Sequence, residues 1–174
     1  MNDSAQRYGT ITRLLHWGMA LLILLQFLKL GDRINDGEHW IGQNLVPTHV
    51  SIGVVLLVLI VLRLLWAVKQ RQQRPLPEGS IALLIKAGHG LLYLSMIAMP
   101  LTGLAIMLGK GFGLKLFGLQ LVARTGVETP WLASLGGLHS PLAWLFLLLV
   151  LGHIGAALFH HFVKKDDTWR RMAG

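Results

Sequence analysis

The sequence lacks cysteine and is poor in acidic residues, and both features narrow what the chain can do. Without cysteine it can form no disulfide, thiolate metal site or iron–sulfur cluster, and it has no C-x-x-C-H motif for covalent haem attachment. Only 8 of its 174 residues are Asp or Glu, and none lies within the long apolar segments. Because a permeating cation would need such residues to balance its charge, transport of metal ions is disfavoured.

Apolar residues dominate the composition. They make up 53% of the chain, whereas charged residues make up 14%, which is typical of an integral membrane protein. Four apolar segments approach or exceed the ~20 residues that a membrane-spanning helix needs. They cover about 14–30, 50–68, 81–108 and 138–163. We therefore predict an all-α fold, a four-helix bundle in the lipid bilayer, built as one domain over residues 1–174.

Basic residues indicate the orientation of this bundle. Eleven Lys or Arg residues lie in the two tails and the middle connection, against five in the other two loops. Positive residues concentrate on the cytoplasmic side, so both termini are predicted to be cytoplasmic. The same rule accounts for the net charge of +8 without a nucleic-acid partner. The five outer cations are Lys29, Arg33, Lys110, Lys115 and Arg124.

Five histidines fall at membrane depth, where an ionisable side chain is costly and indicates function. His49 and His139 begin the second and fourth segments at the outer face, whereas His16, His89 and His153 lie in the inner half. His139 and His153 are fourteen residues apart, so they share one helix face and are separated by about 21 Å. This distance is too large for one shared metal ion but suits two ligand positions at different depths.

Paired histidines at two levels are what two haems with bis-imidazole ligation require. The outer partner of His139 is His49, while His153 has two candidate partners, His16 and His89. With both axial positions filled, the iron has no vacant site for a gas, which favours electron transfer. The alternative is that the histidines hydrogen-bond between helices in a scaffold without haem.

Two arginines lie near the inner level. Arg63 is fourteen residues after His49, on the same helix face, and could bind a haem propionate. Arg13, one turn before His16, is a similar candidate. The alternative for Arg63 is a basic side chain that extends to the membrane surface.

The start of the fourth span has two possible positions. Thr129-Pro130 has the order of an N-cap followed by proline in the first turn, and Ser140-Pro141 could serve equally well. A helix that began at the first site would bend at Pro141.

These residues resemble those of a known family, the bacterial cytochromes b561, which are four-helix di-haem b cytochromes of the inner membrane. The resemblance extends over nearly the whole chain, and more distantly to the cytochrome b subunits of hydrogenases and formate dehydrogenases. The stretches that carry it are RLLHW (13–17), THVSIG (48–53) with the later Arg63, GH (88–89), LH (138–139) and GH (152–153) followed by HH (160–161).

The resemblance implies specific roles. His16 with His153 would hold a cytoplasmic-side haem b, and His49 with His139 a periplasmic-side haem b. His89 and His160 would belong to a quinone site or support the inner haem. The implied activity is electron transfer from a small periplasmic donor, with superoxide as the first candidate, to ubiquinone. The outer cations could draw that anion to the outer haem. The alternative for these cations is an ordinary mixed-charge loop, because the acidic residues Asp32, Asp36, Glu38 and Glu128 dilute the positive field. The alternative is an anchor subunit that passes electrons between a partner dehydrogenase or hydrogenase and quinone.

Overall fold

The computed structural model describes residues 2–34, 38–74 and 82–174, with side chains up to residue 31 in the first range. In chain order the elements are α1 (Thr10–Ile34), α2 (Trp40–Asn44), a 3-10 turn (Val46–Thr48), α3 (His49–Lys69), α4 (Ala82–Gly109), β1 (Leu114–Leu116), β2 (Leu119–Val122), α5 (Pro130–Gly136), α6 (His139–Phe159), a π-helical turn (His160–Lys164) and α7 (Thr168–Ala173). Residue 81, the predicted start of the third span, lies outside these ranges.

The four predicted spans correspond to α1, α3, α4 and α6, which are long and apolar enough to cross a membrane. Helix α1 begins four residues before the predicted start, because residues 10–13, three of which are polar, also adopt helical backbone hydrogen bonding. The fourth span uses both candidate starts. Pro130 begins the short helix α5, and a separate helix, α6, begins at His139 with Pro141 in its first turn, where a missing amide donor costs nothing.

Long helices pack in the order α1, α3, α4 and α6. Their common core is a thin apolar layer in which Met19 and Ile60 are fully buried. Phe146 joins this layer and lies 5.6 Å from the ring of Phe27. Phe146 is seven residues from both His139 and His153, so the layer separates the two histidine levels. Many large apolar side chains outside this layer are exposed on the surface of the bundle, as a lipid-facing surface requires.

In the described part of the chain, the one departure from the all-α prediction lies at the end of the bundle predicted to be periplasmic, called the outer end below. Strands β1 and β2 form an antiparallel hairpin, closed by Phe117 (φ 45°) and Gly118 (φ 95°). Positive φ at both central residues is typical of a type I′ hairpin turn. The Phe117 amide donates to the buried Ser51 hydroxyl at 3.0 Å, which ties the hairpin to the first turn of α3.

At the other end, the two chain termini are bound to the bundle. The Asp3 carboxylate is fully buried and accepts hydrogen bonds from the Gly9 amide (2.8 Å), the Thr12 hydroxyl (2.7 Å) and Arg74 Nε (2.8 Å). Helix α7 packs on α1, with the Trp17 indole donating to the Met172 carbonyl at 3.2 Å. The end of α6 and the start of α1 are thus held together by residues distant in sequence.

Candidate functional site

The structure brings His49 and His139 close together. His49 is the first residue of α3 and His139 the first of α6, and their ring centroids are 6.0 Å apart. The Nδ1 atom of His139 lies 3.0 Å from the Met99 carbonyl and 3.1 Å from the Thr102 hydroxyl. Because the carbonyl only accepts, the ring hydrogen belongs on Nδ1. Nε2 of His139 then keeps its lone pair, as in a metal-binding histidine.

A cavity of about 630 Å³ opens beside this pair. Two glycines help to form it: a Cβ atom on Gly103 would come within 3.2 Å of the His139 ring, and one on Gly53 within 3.3 Å of the Gln26 amide. Its walls are mainly apolar, and its polar lining includes Lys29 and Lys110. The volume falls in the range of about 300–1,000 Å³ that is typical of cofactor pockets.

The outer site therefore fits a haem. The mainly apolar cavity suits a flat apolar ring, and its lysines carry the positive charge that haem propionates need. One buried ring nitrogen, Nδ1 of His49, has no hydrogen-bond partner in the described part of the chain. Buried polar atoms without partners are rare in native proteins. The ring separation would leave room for one metal atom between the two imidazoles, since metal–imidazole bonds are about 2 Å long.

Three histidines from three helices meet at the inner level. His153 of α6 lies 6.1 Å from His16 of α1 and 5.5 Å from His89 of α4, measured between ring centroids. Both candidate partners of His153 are thus beside it. They differ in burial, because the side chain of His89 is exposed whereas His16 is half-buried.

Arg63 contacts His16 directly. One guanidinium nitrogen lies 3.3 Å from His16 Nδ1, and the Arg63 Cζ atom lies 5.5 Å from the centre of the Tyr93 ring. Arginine only donates, so Nδ1 must accept and the ring hydrogen sits on Nε2. Ligation of iron by Nε2 requires the opposite tautomer. Arg63 therefore cannot hydrogen-bond to Nδ1 of His16 while a metal is bound at Nε2. Metal binding at His16 would free the Arg63 guanidinium to contact a carboxylate.

Arg13 is bound to the C-terminal helix. Its guanidinium donates to the Ala173 carbonyl at 2.6 Å, while the buried Nε atom has no partner among the described residues. The predicted propionate roles of Arg13 and Arg63 remain predictions.

The two predicted quinone-site histidines lie in different surroundings. His89 contacts His153, whereas His160, the first residue of the π-helical turn after α6, binds Asp166 through Nδ1 at 2.6 Å. Sequence reasoning missed Asp166, because an acidic residue in a charged tail gives no local signal of a contact six residues back.

Only some of the predicted outer cations lie at the cavity. Lys29 and Lys110 line it, whereas Lys115 lies on the hairpin and Arg124 follows β2. The side chain of Arg33 lies outside the described part of the chain.

Comparisons with known proteins agree with this architecture. The sequence model described as prokaryotic cytochrome b561 matches residues 7–174. Cytochrome b561 homolog 2 of Escherichia coli strain K12 is 34% identical over 99% of this chain and 94% of its own. Cytochrome b561 homolog 1 of the same strain is 32% identical, over 95% of this chain and 96% of its own. A protein of Yersinia pestis described as probable superoxide oxidase CybB is 28% identical over 96% of both chains.

A family match over nearly the full length, together with four helices of membrane-spanning length, settles both class and location. The chain belongs to the prokaryotic cytochrome b561 family, haem-binding electron-transfer proteins, and is a multi-pass protein of the bacterial inner membrane.

Proposed function

We propose that the protein is a single-domain di-haem b cytochrome that takes electrons from superoxide at the periplasmic face and passes them to ubiquinone near the cytoplasmic face. The observation that carries this is the repeated geometry of two histidine pairs. His49–His139 and His16–His153 have ring-centroid separations of 6.0 and 6.1 Å, at two levels of one bundle. When bound, the haems supply the one-electron chemistry.

The protein's part is ligation, spacing and charge. The Met99 carbonyl orients His139, and the apolar layer around Phe146 keeps the two levels apart. His16 serves as the inner ligand, because its separation from His153 matches the outer pair. Arg13 and Arg63 bind propionates of the inner haem.

Superoxide as the donor is supported by charge and by one relative's name. Lys29 and Lys110 line the outer cavity, and cations at the mouth of a cleft raise the local concentration of a small anion. The Yersinia pestis relative is described as a probable superoxide oxidase.

Ubiquinone as the acceptor is supported by the inner end. The exposed His89 beside His153 offers a hydrogen-bonding group that a bilayer-dissolved molecule can reach. The excess of basic residues in the tails and middle connection supports a cytoplasmic location for this end and for both termini.

The test is superoxide-driven reduction of ubiquinone-1 by the purified, haem-loaded protein, with superoxide supplied by xanthine oxidase. Lys110→Gln removes a cation at the cavity, and Lys115→Gln is the matched control on the hairpin. We expect Lys110→Gln to lower the superoxide-dependent rate roughly twofold to fivefold, while Lys115→Gln stays near the unsubstituted rate.

Two results would contradict the proposal. One is ubiquinone reduction that does not depend on superoxide. The other is isolation of the chain in a stable complex with a soluble dehydrogenase or hydrogenase, as expected of an anchor subunit.

A further inference from the structure

The hairpin formed by β1 and β2 has one apolar face. Residues that pair directly across an antiparallel sheet point to the same side of it, and side chains alternate between the two sides along each strand. The register pairs Leu116 with Leu119 and Leu114 with Val122, with a bulge beside Leu114. These four side chains therefore share one side, and Leu121, two residues after Leu119, points the same way.

The other face of the hairpin is polar. Lys115 pairs with Gln120 across it, and both residues are exposed. The Gln120 side-chain amide donates to two main-chain carbonyls of the hairpin, those of Leu114 and Val122. The described part of the chain adds no third strand to this sheet, so the amide covers acceptors that an open edge would leave unpaired. A hairpin with one apolar face and covered acceptors suits the boundary between lipid and water.

The two strands differ in how far the bundle covers them. β1 contacts α3 and α4, and its leucines, Leu114 and Leu116, are half-buried. In β2, by contrast, Leu119 is 67% exposed, Leu121 54% and Val122 43%. These three side chains lie on the same face that β1 packs against the helices. The apolar face of the hairpin therefore extends past the flank of the bundle, and its overhanging part is formed by β2.

The depth of the hairpin follows from its attachment to α3. The Phe117 amide donates to the buried hydroxyl of Ser51, the third residue of α3. Two residues of helical rise put Ser51 about 3 Å deeper in the bundle than the first residue of the helix. Because α3 is long and apolar enough to cross a membrane, the hairpin lies beside the first turn of a spanning helix. The nearest apolar medium for its overhang is therefore lipid.

The charges near the hairpin complement phospholipid headgroups. Residues 110–128 include the cations Lys110, Lys115 and Arg124 but a single acidic residue, Glu128. Phospholipid phosphates are anionic and attract basic residues at the membrane surface. Basic side chains on one face and Leu or Phe on the other are also the composition of segments that lie in the membrane interface.

We propose that the hairpin lies in the headgroup region of the leaflet at the outer end of the bundle. The overhanging side chains of β2 insert among the acyl chains, and Lys115 points to the phosphates. The ligand is phospholipid, and the proposal does not depend on the electron donor or acceptor. Because Phe117 binds Ser51, in the helical turn that begins with His49, this lipid contact holds the outer histidine level at the membrane boundary.

The lack of cysteine in the chain allows a single thiol to be introduced for labelling with the fluorophore nitrobenzoxadiazole. Leu119→Cys and Leu121→Cys place the label on the apolar face, and Lys115→Cys places it on the polar face as the matched control. Leu148→Cys, 66% exposed in the middle of α6, is the reference for lipid. Glu128→Cys, exposed between β2 and α5, is the reference for water. Each haem-loaded variant is placed in vesicles of phosphatidylethanolamine and phosphatidylglycerol.

Two quenchers are compared on these vesicles. One is a nitroxide attached near the head of the acyl chain of an added phospholipid, and the other is iodide, present on both sides of the membrane. The readout is the ratio of the two quenching constants, because energy transfer to haem shortens the excited state equally for both quenchers and cancels. We expect this lipid-to-iodide ratio to be roughly fivefold higher for Leu119→Cys and Leu121→Cys than for Glu128→Cys. The ratio for Lys115→Cys should be closer to that of Glu128→Cys than to that of Leu148→Cys.

Two results would overturn the proposal. A ratio for Leu119→Cys and Leu121→Cys equal to that of Glu128→Cys would place the overhang in water. Weak quenching by both agents would show that protein covers it, either a second copy of this chain or another protein. All substituted positions are exposed, and the haem content of each variant, compared with that of the unsubstituted protein, confirms that the fold is retained.

Discussion

At the scale of single residues, sequence reasoning succeeded where spacing along a rigid helix decides the outcome. The fourteen-residue interval between His139 and His153 predicts a common face, and each of these histidines does meet histidines of other helices. It failed where a contact joins distant parts of the chain. Neither the burial of Asp3 nor the Arg13 contact with Ala173 has any local signal, because the paired residues are 71 and 160 positions apart.

The choice of inner ligand is a prediction at this scale. His16→Gln should remove one haem per chain, whereas His89→Gln should leave both, because the 6.1 Å separation of His16 from His153 matches the outer pair and the 5.5 Å separation of His89 does not. Haem content and the reduced visible spectrum of the two variants decide it. Loss of a haem in His89→Gln with both retained in His16→Gln would reverse the assignment.

Asp3 should contribute strongly to stability. Asp3→Asn removes the charge that Arg74 binds and turns an acceptor into a donor beside Thr12, in a fully buried position. Loss of one partner of a buried ion pair should lower the free energy of unfolding by about 3 kcal/mol. Asp167→Asn, which breaks only an exposed pair, should cost less than about 1 kcal/mol.

Thermal unfolding in detergent, followed by tryptophan fluorescence, measures both variants. Equal melting temperatures for Asp3→Asn and Asp167→Asn would show that the buried network adds nothing.

At the scale of elements, hydrophobic length was enough to predict the four spans but not what connects them. The hairpin over residues 114–122 escaped notice because its strands have three and four residues, too short for an alternating pattern to stand out. The dipeptide Phe117-Gly118 was the available signal, since a glycine in a two-residue connection favours such a turn. The sequence could not show that the fourth span is divided into α5 and α6. Both proline-containing sites were suitable as a helix start, and the structure begins one helix at each of them.

Close packing of α5 on α4 should be essential for the outer site. A Cβ atom on Gly136 would lie 2.7 Å from Cγ1 and 2.9 Å from the amide nitrogen of Ile106, so Gly136→Ala must push the helices apart. We expect a loss of about 1–3 kcal/mol in stability and weaker retention of one haem, because Gly136 lines the outer cavity.

Gly31→Ala is the matched control, because a Cβ atom there meets nothing within 4 Å. Alanine also favours helix over glycine. Melting temperature and haem retention during purification are the measurements, and a Gly136→Ala protein as stable and as haem-rich as Gly31→Ala would refute the packing argument.

At the scale of the whole molecule, composition was the strongest guide. The apolar exterior and the uneven distribution of basic residues together predict a membrane bundle with one cationic end. The same end is where the termini meet, through Asp3 near the start and α7 near the finish. Composition could not predict that the two tails pack against the bundle, because a short charged segment is usually expected to be exposed to solvent.

Orientation can be tested with the chain's lack of cysteine. Glu128→Cys places a thiol on the predicted periplasmic side, and Gln72→Cys places one at an exposed position on the predicted cytoplasmic side. A membrane-impermeant maleimide added to spheroplasts should label the first variant at once and the second only after lysis. The reverse pattern would invert the bundle and, with it, the assignment of donor and acceptor sides.

The measurement that tests the central claim most directly is the haem content and visible spectrum of the purified protein beside His139→Ala. The account predicts two low-spin b haems per chain in the unsubstituted protein and one in the variant, since His139 serves only the outer pair. A single haem in the unsubstituted protein, or a His139→Ala protein that keeps both or loses both, would contradict the assignment of one haem to each histidine pair.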